Sequence, residues 1–270
     1  MKLNIDIVDA FTSTQFGGNS AAVIITDTWL NESLMQAIAT ENNLSETAFL
    51  VPVETGVYDI RWFSPMTEIA FCGHATLASA FVLFNKKPTF HQVKLSAPTV
   101  GSMLISKLDN GYIEMDFPSF APEAISDIPE ALIAGLSIKP EQVLKNQQAY
   151  FAVYNSEFDV RTVEQSTEQL KQLAPLDVVV TAPGEKHDFV SRYFWPANGG
   201  DEDPVTGSIH TGLAPYWSQR LNKTELKAYQ ASKRGGELLC VIEGERVKLR
   251  GQAVHYLSGS ITVNNSQNLS

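Results

Sequence analysis

Arg61-Trp62-Phe63-Ser64-Pro65, followed by Cys72-Gly73-His74 and the apolar run Ala75 to Phe84, has a second copy in the chain. That copy is Arg192-Tyr193-Phe194-Trp195-Pro196, followed by Thr206-Gly207-Ser208 and the run Ile209 to Trp217. The arginines stand 131 positions apart and the glycines 134, close to half of the 270 residues. Solenoids repeat every 20 to 50 residues or so. A single repeat of half the chain length instead implies two similar domains facing each other across a cleft, and function is expected in that cleft.

Working outward from the two copies, the flanking elements repeat in order. Asn31 to about Asn42 carries Leu34, Met35, Ile38 and Ala39 on one helical face, with Asn31 as its cap. Thr47 to Val53 and Val57 to Phe63 read as strands joined across Glu54-Thr55-Gly56. In the second half Thr167 to Leu173 reads as a helix, followed by strands Val178 to Thr181 and Asp188 to Phe194 about a Pro183-Gly184 turn. Strands at 93–97, 103–108 and 112–117, and later at 238–242 and 246–250, follow the central run of each half. The predicted class is α+β, a pseudo-duplicate in which each half is a curved, mainly antiparallel sheet around one central helix. The boundaries are 1–117 for the first half, with a returning strand within 258–270, and 118–257 for the second. The proline-rich stretch Pro118 to Pro129 links them.

Bulk properties exclude several functions. The formal net charge is −10 and the 20 Lys and Arg are scattered, so no basic stripe is offered to nucleic acid. No apolar run approaches the roughly 20 residues of a membrane span. The chain opens with the strand-like alternation Leu3, Ile5, Ile7 rather than a signal sequence, which predicts a soluble, cytoplasmic protein. Cys72 and Cys240 form neither a metal-type spacing nor a disulfide framework, and His91, His187, His210 and His255 lack the spacing of a metal site. His210 could sit at the rim of the cleft. Gly17-Gly18-Asn19 and Gly235-Gly236 read as turns rather than nucleotide-phosphate loops.

The run Ala75 to Phe84 is small and apolar nearly all round, which suits a helix sheathed by sheet. A buried helix leaves its first amides without intrahelical partners. Gly73 and Gly207, just ahead of the two central runs, let backbone N–H groups approach a ligand closely, where the helix dipole favours an anion. Three titratable residues lie nearby in sequence. Glu46 opens an apolar strand, His74 starts a helix, and Asp203 lies in Glu202-Asp203-Pro204-Val205-Thr206-Gly207-Ser208. Taken singly, each has a bland alternative: a solvated carboxylate, a packing or capping histidine, a helix cap.

Together the segments Asn43-Leu44-Ser45-Glu46-Thr47-Ala48-Phe49, Phe63-Ser64-Pro65, Cys72-Gly73-His74-Ala75-Thr76 and Glu202 to Ser208 resemble the PhzF (phenazine biosynthesis-like) isomerase family over nearly the whole chain. The resemblance implies a diaminopimelate-epimerase-like fold with the site between its domains. It also implies a cofactor-independent isomerase, usually a homodimer, acting on a small carboxylic acid by moving a proton between carbons. On that basis Glu46 is the general acid/base, and His74 and Asp203 hold the substrate. Ser208 contacts the substrate, the Gly73 and Gly207 amides bind its anionic group, and no metal is called for. Proton transfer at carbon needs a base beside the carbon and a means of stabilising the electron-rich intermediate, which this set supplies. Related epimerases exchange protons with a thiol from each domain. Here Cys72 is matched by Thr206, both kept as candidate substrate-binding residues, and Cys240 falls in an apolar strand, so a two-thiol epimerase or racemase is the second reading and a noncatalytic carboxylate binder the third.

Overall fold

The structure is a computed structural model describing residues 1–264. The first elements in chain order are β1 (Lys2–Ala10), β2 (Asn19–Ile25), α1 (Glu32–Asn42), β3 (Glu46–Glu54), β4 (Val57–Phe63), β5 (Glu68–Ile69), α2 (Gly73–Lys86), β6 (Gln92–Ala97), β7 (Gly101–Lys107) and β8 (Ile113–Pro118). There follow β9 (Glu123–Ala124), α3 (Glu130–Ala134), β10 (Gln142–Lys145), β11 (Ala149–Val153), α4 (Glu157–Thr162), α5 (Thr167–Leu170), β12 (Asp177–Pro183), β13 (Phe189–Trp195) and β14 (Gly200–Asp203). The last are α6 (His210–Leu221), β15 (Glu225–Gln230), β16 (Gly236–Glu243), β17 (Arg246–Gly251) and β18 (Ala253–Thr262). The chain divides into two compact units, residues 1–116 with 250–270, and residues 117–249.

In the first unit β1 pairs antiparallel with β2, β2 parallel with β3, β3 antiparallel with β4, β4 antiparallel with β5 and parallel with β6, and β6 antiparallel with β7. The second unit repeats this from β10 to β16. There β10 pairs antiparallel with β11, β11 parallel with β12, β12 antiparallel with β13, β13 antiparallel with β14 and parallel with β15, and β15 antiparallel with β16. Every sense of pairing matches, so the repeat first seen in five residues extends through the sheet of each unit.

The repeated frame has a physical reason. On a strand, residues i and i+2 share a face. Arg61 therefore lies over the Phe63 ring, 5.2 Å from its centroid, and Arg192 over Phe194, at 4.9 Å. Each guanidinium also forks a glutamate on the next short strand. Arg61 bonds both oxygens of Glu68 (2.7 and 2.5 Å), and Arg192 both oxygens of Glu202 (2.8 and 3.0 Å). Phe63 is buried with Met35, Ile38 and Ala39 of α1. Phe194 is buried with Val160 of α4 and Leu170 of α5. The frame is thus a structural clamp that ties β5 and β14 to their sheets.

Some elements follow the sequence reading and others depart from it. The helix over Asn31 to Asn42 forms with the Asn31 side chain accepting from Ser33 N–H. Helix 167–173 is instead the short α5 closed by a 3-10 turn over Lys171–Leu173. The linker after Pro118 contains β9, which pairs with β10. The returning strand begins at Ala253 rather than 258 and pairs antiparallel with β1 from Ala10↔Ala253 to Lys2↔Thr262. The part of the expected 258–270 segment from 265 on lies outside the described residues. The second central helix starts at His210, not beside Gly207: the His210 and Thr211 amides bond back to Gly207 and Ser208, a tighter i→i−3 turn that precedes the α-helix. Inside α6, Pro215 offers no N–H, and the carbonyl of Thr211 accepts from Phe120 N–H instead (3.0 Å). His210, expected at a rim, is fully buried.

Candidate active site

Helix α2 is buried from Gly73 to Phe84 except for the partly covered Phe81. Its cap, Cys72, is extended and offers no side-chain bond to the helix. Above this terminus the first unit gathers four side chains. Glu46, the first residue of β3, places Oε2 2.7 Å from His74 Nε2. Both residues are buried. The oxygen lies off the N–H direction and has no in-line hydrogen bond. On the other side of the imidazole, Nδ1 is 3.1 Å from Asn19 Nδ2 and 3.3 Å from Cys72 Sγ. An amide nitrogen can only donate, so His74 Nδ1 accepts and the remaining ring proton sits on Nε2, facing Glu46.

Glu46, Cys72 and His74 also form a group of metal-type ligands within 4.8 Å of one another. Two ligand atoms on one tetrahedral zinc, each at about 2.0 to 2.1 Å, stand roughly 3.3 Å apart. The 2.7 Å between Nε2 and Oε2 is closer than two ligand atoms of one such ion would stand.

The second unit builds its part of the candidate site around Thr206, every polar group of which is engaged. Its hydroxyl donates to Asp203 Oδ2 (2.5 Å), its N–H to Gln230 Oε1 (2.9 Å), and its carbonyl accepts from His210 Nδ1 (2.8 Å). Gln230 also donates to the Asp203 carbonyl at 2.8 Å. This web holds the turn that leads through Gly207 to Ser208. The Gly207 and Ser208 amides have no backbone acceptor among the described residues, so they are open to an acceptor from outside the chain. His210 gives its Nδ1 proton to Thr206, while Nε2 has no hydrogen-bond partner. Burial pushes its pKa down to about 4, partly opposed by the bond to Thr206.

A family model described as phenazine biosynthesis-like protein matches residues 8–259. The chain belongs to the PhzF family. An uncharacterized isomerase of Pseudomonas aeruginosa is 45% identical over 261 residues, covering 97% of this chain and 99% of its own. An uncharacterized isomerase of Halalkalibacterium halodurans is 43% identical over 263 residues, with the same coverage. The crystal structure of a PhzF family protein from Enterococcus faecalis matches with a TM-score of 0.92 at 42% identity, over 97% of this chain and 100% of that one. At 8% identity, a hydroxyproline epimerase from Agrobacterium vitis shares the fold alone, with a TM-score of 0.60 over 98% of this chain and 94% of that one. This PhzF-family chain is therefore an isomerase-class enzyme with an α+β, epimerase-like fold. None of its described helices is long and apolar enough to cross a membrane.

Reading the PhzF sequence alone passed over two residues. Asn19 was placed in a turn, yet it is fully buried with its amide on His74. The signal was Gly18. That residue adopts φ +62°, and a Cβ there would stand 2.1 Å from the Ala10 carbonyl oxygen, so only glycine brings the chain round to seat Asn19. Gln230, fully buried at the end of β15, gave no signal because an isolated Gln in a strand reads as a surface residue. Cys240 is fully buried, and burial raises its thiol pKa, which leaves it inert.

Proposed function

We propose that this PhzF-family enzyme shifts a proton between carbons of a small, cyclic or unsaturated carboxylic acid, with Glu46 as the general acid/base and without a cofactor. The observation that carries the reading is the buried Glu46 carboxylate, whose Oε2 lies against His74 yet makes no in-line hydrogen bond. Buried polar atoms are rarely left so, and a catalytic role is one of the few reasons. Withdrawn from water, that oxygen is a base ready to take a proton from carbon and return it to another. His74 presents Nε2–H to the carboxylate and to polar groups of the substrate. Asp203 holds a donor group of the substrate, and Ser208 with the Gly73 and Gly207 amides takes its carboxylate. The shift leaves the substrate's overall oxidation state unchanged and so calls for no redox partner. The homodimer implied by the family resemblance and the cytoplasmic setting read from the sequence belong to the same proposal, with neither nucleic acid nor membrane as a partner.

The contact of Cys72 Sγ with His74 Nδ1 favours one further reading, an epimerase in which the thiol works the opposite face. Its partner position is Thr206, whose hydroxyl proton is committed to Asp203. This makes the second reading the weaker one. Incubation in deuterated water with a panel of small cyclic and unsaturated carboxylic acids, followed by proton NMR, tests both. Deuterium should enter at carbon in the native enzyme, and Glu46→Gln should lower that exchange at least 100-fold while leaving ligand affinity within a few-fold. Undiminished exchange in Glu46→Gln, with racemised product, would transfer the role to Cys72.

A further inference from the structure

β12 begins with Asp177, which pairs in the parallel ladder with Ala149. The matching position in the first unit is Glu46, which begins β3 and pairs in parallel with Ala21. Both units thus open the same strand with an acid, and the proposed mechanism uses only the first. Asp177 is not idle. Its Oδ2 accepts from the Tyr193 hydroxyl at 2.6 Å and its Oδ1 from Asn198 Nδ2 at 2.8 Å. Tyr193, the second residue of the second frame, is 4% exposed, so the partners of its hydroxyl are fixed by the protein. Gln148 Nε2 lies 3.1 Å from the Tyr193 oxygen and 2.9 Å from Ser208 Oγ.

Counting protons along this row gives it a direction. A phenol has one proton, and the carboxylate takes it. The group at 3.1 Å on the other side must then be a donor, which turns the NH2 of Gln148, not its carbonyl, toward Tyr193. The second proton of that NH2 goes to Ser208 Oγ. Ser208 thus receives a hydrogen bond from within the protein, and among the described residues nothing accepts its own proton. Burial, then the charge of Asp177, pushes the Tyr193 phenol well above its ordinary range, so the row does not lose its order by ionisation of the tyrosine. Burial also raises the Asp177 carboxyl, opposed by the bonds from Tyr193 and Asn198.

The geometry points to a one-way hydrogen-bond chain, Asp177 to Tyr193 to Gln148 to Ser208, that keeps the Ser208 hydroxyl a donor for the carboxylate of the substrate, with Asp177, Tyr193 and Gln148 as positioning residues. The inference rests on the reading of Ser208 as a substrate contact. Asp177→Asn should invert the row although every side chain keeps its place. An amide NH2 at 177 donates to the Tyr193 oxygen, the phenol proton turns to Gln148, the carboxamide rotates to accept it, and Ser208 donates inward. The hydroxyl is then lost to the ligand.

The test uses full-length protein labelled with 15N in the backbone and in the glutamine side chains, titrated with benzoate. In the native protein benzoate should shift the Gly207 and Ser208 amides. Asp177→Asn and Ser208→Ala should each weaken benzoate about tenfold, as expected for one hydrogen bond to a charged acceptor. The double variant should be no weaker than Ser208→Ala alone. Tyr193→Phe, which keeps the ring packing, should cost a similar factor and serves if Asp177→Asn does not fold. Additive losses, or unchanged affinity in Asp177→Asn and Tyr193→Phe, overturn the inference. If benzoate binds nowhere near Ser208 even in the native protein, it is the reading of Ser208 as a carboxylate contact that fails. The direction of the row is then read directly from the Gln148 side-chain NH2 resonances. These should be protected from exchange in the native protein and should move and exchange faster in Asp177→Asn, whereas identical resonances would overturn the chain.

Discussion

Replacing His210 by Gln and following urea unfolding of both proteins between pH 7 and pH 4.5 isolates the energy of one buried imidazole. His210 is fully buried, donates its Nδ1 proton to Thr206, and has no partner for a second proton at Nε2. Its pKa falls from the ordinary 6.5 to about 4. Between those values the unfolded chain binds a proton that the folded chain refuses. Stability therefore falls as pH drops from about 6.5 toward 4, and above that window this group contributes no slope. The full gap corresponds to about 3 kcal/mol, and roughly 2.5 kcal/mol of it is already lost at pH 4.5. His210→Gln, which keeps a donor for Thr206 and cannot titrate, should show an acid-induced loss smaller by about that amount. All other titrating groups are common to the two proteins and cancel in the comparison. Equal pH slopes, or an NMR titration of His210 with a midpoint near 6.5, would refute the argument.

The two arginine clamps are unequal. Arg192 also donates to the Val160 and Val163 carbonyls, whereas the second glutamate on Arg61, Glu32, is largely exposed. Arg192→Ala should cost about 2 to 3 kcal/mol in urea unfolding and Arg61→Ala about 1, and equal losses would show that the carbonyl bonds add nothing. Gly18→Ala should destabilise by about 2 kcal/mol or more, since its φ and the Ala10 carbonyl both oppose a side chain, and should disturb the His74 resonance through Asn19. An unshifted His74 signal in a folded Gly18→Ala protein would break the link between that turn and the site.

What could be read from the sequence follows from how local each signal was. The duplication was legible because Arg, aromatic and Phe must alternate across a strand, and that spacing survives in both halves. α1 and α2 were legible from apolar periodicity. The start of α6 was not, because the apolar pattern runs on through Ile209 while the backbone from Gly207 turns more tightly than an α-helix. The glutamates of the clamps were missed because Glu68 and Glu202 lie on strands of two and four residues, too short to show a period. Glu46, Cys72 and His74 were each in view, and the fold sets Glu46 and Cys72 both against the His74 ring. Asn19, Gln148, Asp177 and Gln230 were not in view as partners, since a polar side chain becomes informative only when what it bonds is known.

The pairing of β1 with β18 sets an order of events during translation. Residues 117–249 form a continuous unit, whereas the first unit is completed only by residues 250 and beyond. As the ribosome releases the chain, β1 can pair with β2, but its other edge stays open until β18 emerges about 250 residues later. Contacts so distant in sequence form slowly. A nascent chain of which residue 249 has just left the ribosome should thus hold a finished second unit and a first unit with a bare nine-residue strand edge, an invitation to pair with a neighbouring chain. The first strand of the fold is thus the last to be secured, which places the hazard of misassembly at β1.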